Sequence, residues 1–330
     1  MTGLDGIRGL VEVRGLEKRF AMPTHFLSRE KPVLHALNGV DAVVRQGEAF
    51  CVVGESGCGK TTLGRIVMGL TEPSNGEVHF DGTRIDNLSD SRRRPFRARM
   101  QMVFQNPYAS LNPRRTVFDT LAEPLRHLSP QMRRAEVRDA VEAVMLAVGA
   151  DPKWGRRMPH EFSGGQRQRI AIARALVTDP EFIVADEPIS ALDVSIQAQI
   201  LNLMTKAREE RGLTYLFITH DLSVVQHFGD RVAVMYLGQI VELAGVEELF
   251  DRPRHPYTRL LLDAIPKLEG GSFERERKPG ELPNPIKLPP GCSFAPRCPL
   301  ANERCRAERP ALLPAGPAQV ACFAVEEGRD

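Results

Sequence analysis

The sequence predicts an α/β fold: a mostly parallel sheet with helices on both faces, an inserted helical subdomain and a loop-rich tail. Three observations predict it. Short β-branched runs alternate with stretches of helical period on either side of the chain's middle, as strand–helix–strand units do. Between residues 107 and 179 the apolar period is helical, with few strand candidates. Beyond Pro266, proline and glycine become frequent (Pro279, Gly280, Pro283, Pro285, Pro289, Pro290, Gly291), which signals loops.

In chain order, residues 10–13 and 39–44 read as strands, and residues 49–53 form a continuous apolar run, as in a strand covered on both faces. That run leads into a glycine-rich loop. Behind the loop, Leu63, Ile66, Val67 and Leu70 fall at i, i+3, i+4 and i+7, one face of a helix. In the middle segment Val137, Val141, Val144 and Val148 make one helical stripe, and Ile170, Ala173 and Val177 another. Strands return at residues 182–185, 215–219 and 232–235, separated by helical stretches such as 196–210. No internal repeat is visible, so the unit occurs once per chain.

At about 100–200 residues per domain, a chain of 330 residues holds one large domain with an appendage, or two domains. The formal net charge of +2 gives no reason to expect a nucleic-acid partner, and Arg92, Arg93, Arg94, Arg97 and Arg99 read as a solvated helix face. Residues 1–10 carry Asp5 and Arg8 and lack the apolar run of a signal peptide. No stretch reaches the roughly 18 apolar residues of a membrane-spanning helix. A soluble, cytoplasmic protein is expected, reaching any membrane through a partner. Of its cysteines, Cys51 and Cys58 lie in the N-terminal third, while Cys292, Cys298, Cys305 and Cys322 crowd the tail. Without a secretion signal, a metal site is a better expectation for them than disulfides.

Gly54-Glu55-Ser56-Gly57-Cys58-Gly59-Lys60-Thr61, followed by Thr62, fits the phosphate-binding pattern G-x-x-x-x-G-K-[ST] between a strand and a helix. The glycines let backbone N–H groups converge on phosphates, and the helix N-terminus adds its dipole. Lys60 is suited to β/γ-phosphate oxygens and Thr61 to Mg²⁺. Residues 182–188 are an apolar strand ending in Asp186 and Glu187. Asp186, at the C-terminal edge of the sheet, can hold Mg²⁺, and Glu187 can act as general base on an attacking water. Ser163-Gly164-Gly165-Gln166 precedes a helix at 167–177, so Ser163 can be its cap or the turn can be a second phosphate-binding surface.

With these motifs in order, the sequence resembles the ATP-binding cassette ATPases, a branch of the P-loop NTPases with a RecA-like core and an antiparallel β portion. FSGGQRQR at 162–169 is similar to the family's signature motif, with Phe162 where leucine is commoner. VFQNP holds Gln105, SALD at 190–193 holds Asp193, and ITHD holds His220, in family order. The resemblance implies that Gln105 senses Mg²⁺ and water, that His220 contacts the γ-phosphate and that Asp193 lines a dimer seam. It also implies that Phe20 stacks on adenine, and that each signature turn completes the site of the other protomer, sandwiching ATP. The implied domains are an ATP-binding unit at 8–265 (core 8–106 and 180–265, helical subdomain 107–179) and an extension at 266–330.

A narrower resemblance spans nearly the whole chain. VFQNPYASLNPR, DEPISALDVSIQAQILNL, VAVMYLGQIVE, HPYTRLLLDAIP and GCSFAPRC are similar to the oligopeptide/dipeptide importers, in particular the second of their two paired ATPase subunits. This implies ATP-driven peptide import at the cytoplasmic face of the membrane. The implied partners are a paralogous ATPase subunit, two membrane-spanning permease subunits and, indirectly, an extracytoplasmic substrate-binding protein. Relatives on the same scaffold carry nickel or other solutes, and the ATPase itself does not touch cargo. The tail cysteines have five, six and sixteen residues between them, which fits zinc poorly. Four thiolates match a [4Fe–4S] cluster, and Pro299 after Cys298 echoes one ferredoxin motif. The branch is associated with such a cluster; free thiols and zinc are the other readings. Because the nucleotide motifs end before residue 221, the tail's expected role is structural or in docking, and nucleotide binding is expected to survive loss of Cys298.

Overall fold

Apolar runs bounded by turns become the strands of the central sheet, because they are covered on both faces. The computed structural model describes residues 9–22, 32–265 and 284–329. Asp5, Arg8, the first proline–glycine positions of the tail and the expected boundaries at 8 and 266 lie outside the described residues.

The strands are β1 (Val11–Ala21), β2 (Val33–Val44), β3 (Ala49–Val53), β4 (Asn75–Phe80), β5 (Thr83–Arg84), β6 (Met100–Val103), β7 (Phe182–Asp186), β8 (Thr214–Ile218), β9 (Arg231–Tyr236), β10 (Gln239–Gly245), β11 (Leu313–Ala315) and β12 (Ala318–Val320). The first helices are α1 (Lys60–Val67), α2 (Asp90–Arg99), α3 (Pro107–Ser110), α4 (Val117–Leu128), α5 (Arg134–Ala147) and α6 (Gly164–Leu176). They are followed by α7 (Val194–Arg211), α8 (Leu222–Phe228), α9 (Val246–Asp251), α10 (Pro256–Asp263), α11 (Glu303–Ala307) and α12 (Phe323–Glu326).

The large sheet runs β11-β12-β10-β9-β3-β8-β7-β6. Its β9-β3-β8-β7-β6 part is parallel throughout, and β10, β12 and β11 add an antiparallel edge. A separate antiparallel sheet, β2-β1-β4-β5, stands beside it. Successive residues of the central strands alternate between two cores, as the period of a strand requires. Cys51, Ala185 and Phe217 face the side of α4–α8, whereas Phe50, Val184 and Ile218 face α1 and the small sheet. The helices α3 to α6 lie between β6 and β7 in the chain, so the helical stretch interrupts neighbouring strands of one sheet.

Two expectations need correcting. The first helix stops at Val67, because Gly69 turns into the left-handed region (φ 65°). Leu70 therefore leaves the apolar stripe and is 57% exposed. The tail, read as a loop with little core, contributes β12 to the large sheet through pairing with β10. It also inserts Phe294 among Tyr236, His255 and Tyr257.

Candidate active site

Strand order sets the site. In parallel β3-β8-β7-β6, four C-terminal ends lie side by side, and in such sheets ligands sit at that edge. The glycine-rich loop leaves β3, His220 follows β8, Asp186 ends β7 with Glu187 next, and Gln105 follows β6.

The loop is tightly wedged. Gly54 and Gly59 have φ of 149° and 109°, and a Cβ on them would stand 2.2 Å from the Met235 carbonyl oxygen and 2.3 Å from that of Ala36. Only glycine fits such approaches. Gly57 is also left-handed and opens on free space, and Ser56 beside it is exposed. Lys60 is buried, and its ammonium donates to the carbonyls of Gly54 (2.6 Å) and Glu55 (3.0 Å). Its remaining neighbour is the Cys58 sulfur at 3.7 Å, a weak acceptor, so the ammonium keeps capacity for an anion. Burial pushes the Cys58 thiol up, against the lowering effect of Lys60. Thr61 and Thr62 stand in the first turn of α1.

Thr61 Oγ1 donates to Asp186 Oδ1 at 2.9 Å. Asp186 is 3% exposed, and burial raises its pKa, with the Thr61 hydrogen bond lowering it and Glu187 raising it further. A hydroxyl and a carboxylate make an all-oxygen donor pair of the kind Mg²⁺ prefers, and a desolvated carboxylate gains most from a cation. These residues fit Mg²⁺.

Glu187 is left-handed at φ 45°, unusual for a side-chain-bearing residue and held here by its N–H donating to Ile218 O at 2.9 Å. That turn places its carboxylate between two neighbours. Gln105 Nε2 donates to Oε2 at 2.9 Å, and His220 Nδ1 stands 3.4 Å from Oε1. A partly exposed carboxylate held from both sides can accept a proton from a water.

Other predicted residues stand apart from the Glu187 cluster. Ser163 caps α6: Gln166 N–H donates to its hydroxyl (3.4 Å), and Ser163 N–H donates to Gln166 Oε1 (3.0 Å). The capping reading is thus realised, and the turn remains exposed at Ser163. A Cβ on Gly165 would lie 2.6 Å from Ile196 Cγ2, so this glycine lets α6 and α7 approach, while Gly164 is less confined. Asp193 is exposed at the start of α7, beside Val194, which is 81% exposed. Phe20 is exposed on β1, opposite Leu34 of β2, with Lys18 Nζ 5.0 Å from its ring centroid.

Cys292, Cys298, Cys305 and Cys322 are free thiols. Burial pushes Cys298 up to about 11, and Cys322, Cys292 and Cys305 each add to the rise. Burial also raises Cys292 and Cys322, with Cys305 adding to both. Among the described residues no group of three or more His, Cys, Asp or Glu could hold a single metal ion. Neither the zinc nor the [4Fe–4S] expectation finds a metal-holding group there.

The family model for ABC transporters matches residues 37–190, and that for the oligopeptide/dipeptide transporter C-terminal region matches residues 241–305. The oligopeptide transport ATP-binding protein AppF of Bacillus subtilis is 49% identical over 319 residues, covering 95% of this chain and 96% of that protein. This chain belongs to the ABC transporter ATPases. OppF of Escherichia coli, likewise an oligopeptide transport ATP-binding protein, is 45% identical to this cassette, with 98% of each chain covered. A dimeric ATP-binding cassette solved in a post-hydrolysis state with ADP and phosphate is also similar. It has a TM-score of 0.63 and 30% identity, and the match covers 72% of this cassette and 98% of that chain.

Sequence reasoning missed one group at the site. Arg297 of the tail forms a two-pronged ion pair with Glu55 of the phosphate loop, and Tyr257 accepts from the Glu55 N–H. A separation of 242 residues leaves no local signal for such a pair.

Proposed function

We propose that this cassette is the ATP-hydrolysing subunit that energises import of di- or oligopeptides across the cytoplasmic membrane. The observation that carries it is Glu187 held between Gln105 and His220 beside the Thr61–Asp186 pair, in a chain so similar to oligopeptide transport ATP-binding proteins. The loop of Gly54, Glu55, Ser56, Gly57, Cys58, Gly59, Lys60, Thr61 and Thr62 binds the phosphates, and Phe20 stacks on adenine. Thr61, Asp186 and Gln105 hold Mg²⁺, which supplies charge neutralisation at the phosphates. Glu187 takes the proton of the attacking water, Gln105 orients that water, and His220 Nε2 remains free of the Glu187 contact to reach the γ-phosphate.

Ser163, Gly164, Gly165 and Gln166 serve the site of a second ATPase subunit, with Asp193 at the seam. One phosphate loop does not need two helix N-termini from its own chain, which supports this reading. The second subunit is a paralogue, and both sit peripherally on the cytoplasmic face beneath two permease subunits fed by a substrate-binding protein. None of the described helices is long and apolar enough to cross a membrane, so membrane attachment falls to those partners. The ATP-binding unit covers residues 8–265, with core 8–106 and 180–265 and helical subdomain 107–179. The extension covers 266–330.

Cys292, Cys298, Cys305 and Cys322 hold a [4Fe–4S] cluster, which when bound supplies a covalent staple for the tail. Four free thiols in one tail, with the Cys292 N–H donating to the Cys305 carbonyl, support this reading. Purification without oxygen, together with its membrane subunits, tests the whole reading. ATP-dependent uptake of a labelled dipeptide, abolished by Lys60→Ala, and about four irons per chain are expected. Uptake that survives Lys60→Ala contradicts the motor role; iron below one atom per chain removes the cluster alone.

A further inference from the structure

We propose that Arg297 is a positioning residue for the phosphate loop: the tail holds its guanidinium on Glu55 and neutralises a carboxylate that borders the phosphate cradle. The inference rests on the nucleotide site proposed above and goes beyond it by giving the tail a part in nucleotide affinity.

The geometry is that of a built clamp. Arg297 Nη1 donates to Glu55 Oε2 at 2.7 Å and Nη2 to Oε1 at 2.9 Å, the parallel fork of the strongest charged pairs. The Arg297 side chain is only 3% exposed. Tyr236 Oη accepts a further contact from Nη1 at 3.4 Å, and Tyr257 Oη accepts from Glu55 N–H at 2.9 Å. The rings of Tyr236 and Tyr257 pack at 4.7 Å, and Phe294 of the tail contacts both. The loop's second residue is thus fixed by its backbone from α10 and by its side chain from the tail.

The tail in turn fixes Arg297. Its N–H donates to Phe294 O (2.9 Å), Cys298 N–H donates to Ala295 O (3.4 Å), and Cys292 N–H donates to Cys305 O (2.8 Å). A Cβ on Gly291 would come within 2.4 Å of Cys305 O, so glycine is required where the two tail segments meet. Arg297 therefore sits in a turn bracketed by Cys292 and Cys298.

An unpaired carboxylate at the loop's second position would repel the phosphates that the loop must bind. With Arg297 in place the pair is neutral and the loop is held. Loss of the tail's order then weakens nucleotide binding, contrary to the expectation that the tail acts only in structure or docking.

Equilibrium binding of a fluorescent ATP analogue with Mg²⁺ to the full-length chain tests this. Arg297→Ala is expected to weaken binding by about 5- to 30-fold, the effect of losing one to two kcal/mol. Glu55→Gln added to Arg297→Ala should restore most of that loss, because it removes the carboxylate left unpaired. A tail that merely needs Arg297 to fold would show no such rescue. Unchanged affinity in Arg297→Ala, or an equal loss in the double variant, overturns the proposal. Failure of the wild-type chain to bind the analogue would instead count against the nucleotide site itself.

Discussion

Asp186 ends an apolar strand, almost wholly out of water, with one hydroxyl as its close partner. Burial is the leading cause of its raised pKa, which means that the folded chain carries its charge at a cost. Such a residue persists when a ligand offsets that cost, and Mg²⁺ is the ligand its donor set suits. Asp186→Asn keeps an acceptor for Thr61 and removes the charge. Without nucleotide the variant should melt higher, by about 2–4 °C if the relief is near 1 kcal/mol. Its affinity for ATP should no longer rise on adding Mg²⁺. A melting temperature at or below that of the wild type would show that the charge is already compensated in the free protein.

At the scale of elements, α10 and the tail meet around His255. Its Nδ1 accepts from Tyr257 N–H at 3.0 Å, capping α10, and its ring lies 5.6 Å from that of Phe294. Burial, with Arg259 nearby, pushes its pKa down from the usual 6.5 to about 3. The unfolded chain therefore binds a proton below pH 6.5 that the folded chain refuses. Stability from this group is full above that pH and is lost as pH falls, by about 2 kcal/mol between pH 7 and 5. Glu242, buried and with its pKa raised first by burial, gains stability as pH falls and works against this. Denaturant titrations of wild type and His255→Asn at both pH values isolate the histidine. The variant keeps an acceptor at the cap and should lose about 2 kcal/mol less over that interval. Equal losses would place the pH sensitivity elsewhere.

Elements with a local signal were legible in the sequence, and those joined across distance were not. The run at 182–187 announces itself, because a doubly covered strand must be apolar and its final carboxylates break the pattern abruptly. The glycine loop is equally plain, since its backbone approaches demand glycine at fixed places. The contact of Gln105 with Glu187 needed the strand order, which periodicity does not contain. The tail was misread for the same reason. Its strands are three residues long, β12 finds its partner in β10 some eighty positions earlier, and Arg297 finds Glu55 across still more chain.

On the scale of the whole molecule, the proposed function gives two surfaces of the chain two different tasks. One is the edge where β3, β8, β7 and β6 end, carrying the phosphate loop, Glu187 and the residues that hold it. The other is the exposed turn at Ser163, with Asp193 and Val194 exposed at the start of α7, the helix that Gly165 lets α6 approach. Under the proposed function, nucleotide binds on the first and the second serves a partner subunit, so that ATP binding would drive closure and hydrolysis release. Steady-state turnover and MgATP affinity of Glu187→Gln, measured in the assembled transporter, test this most directly. Turnover should fall by about 10²–10⁴-fold, the usual loss on removing a general base, with affinity kept and the closed form accumulating. Turnover within about twofold of wild type would contradict it, since removing a general base should cost at least a hundredfold.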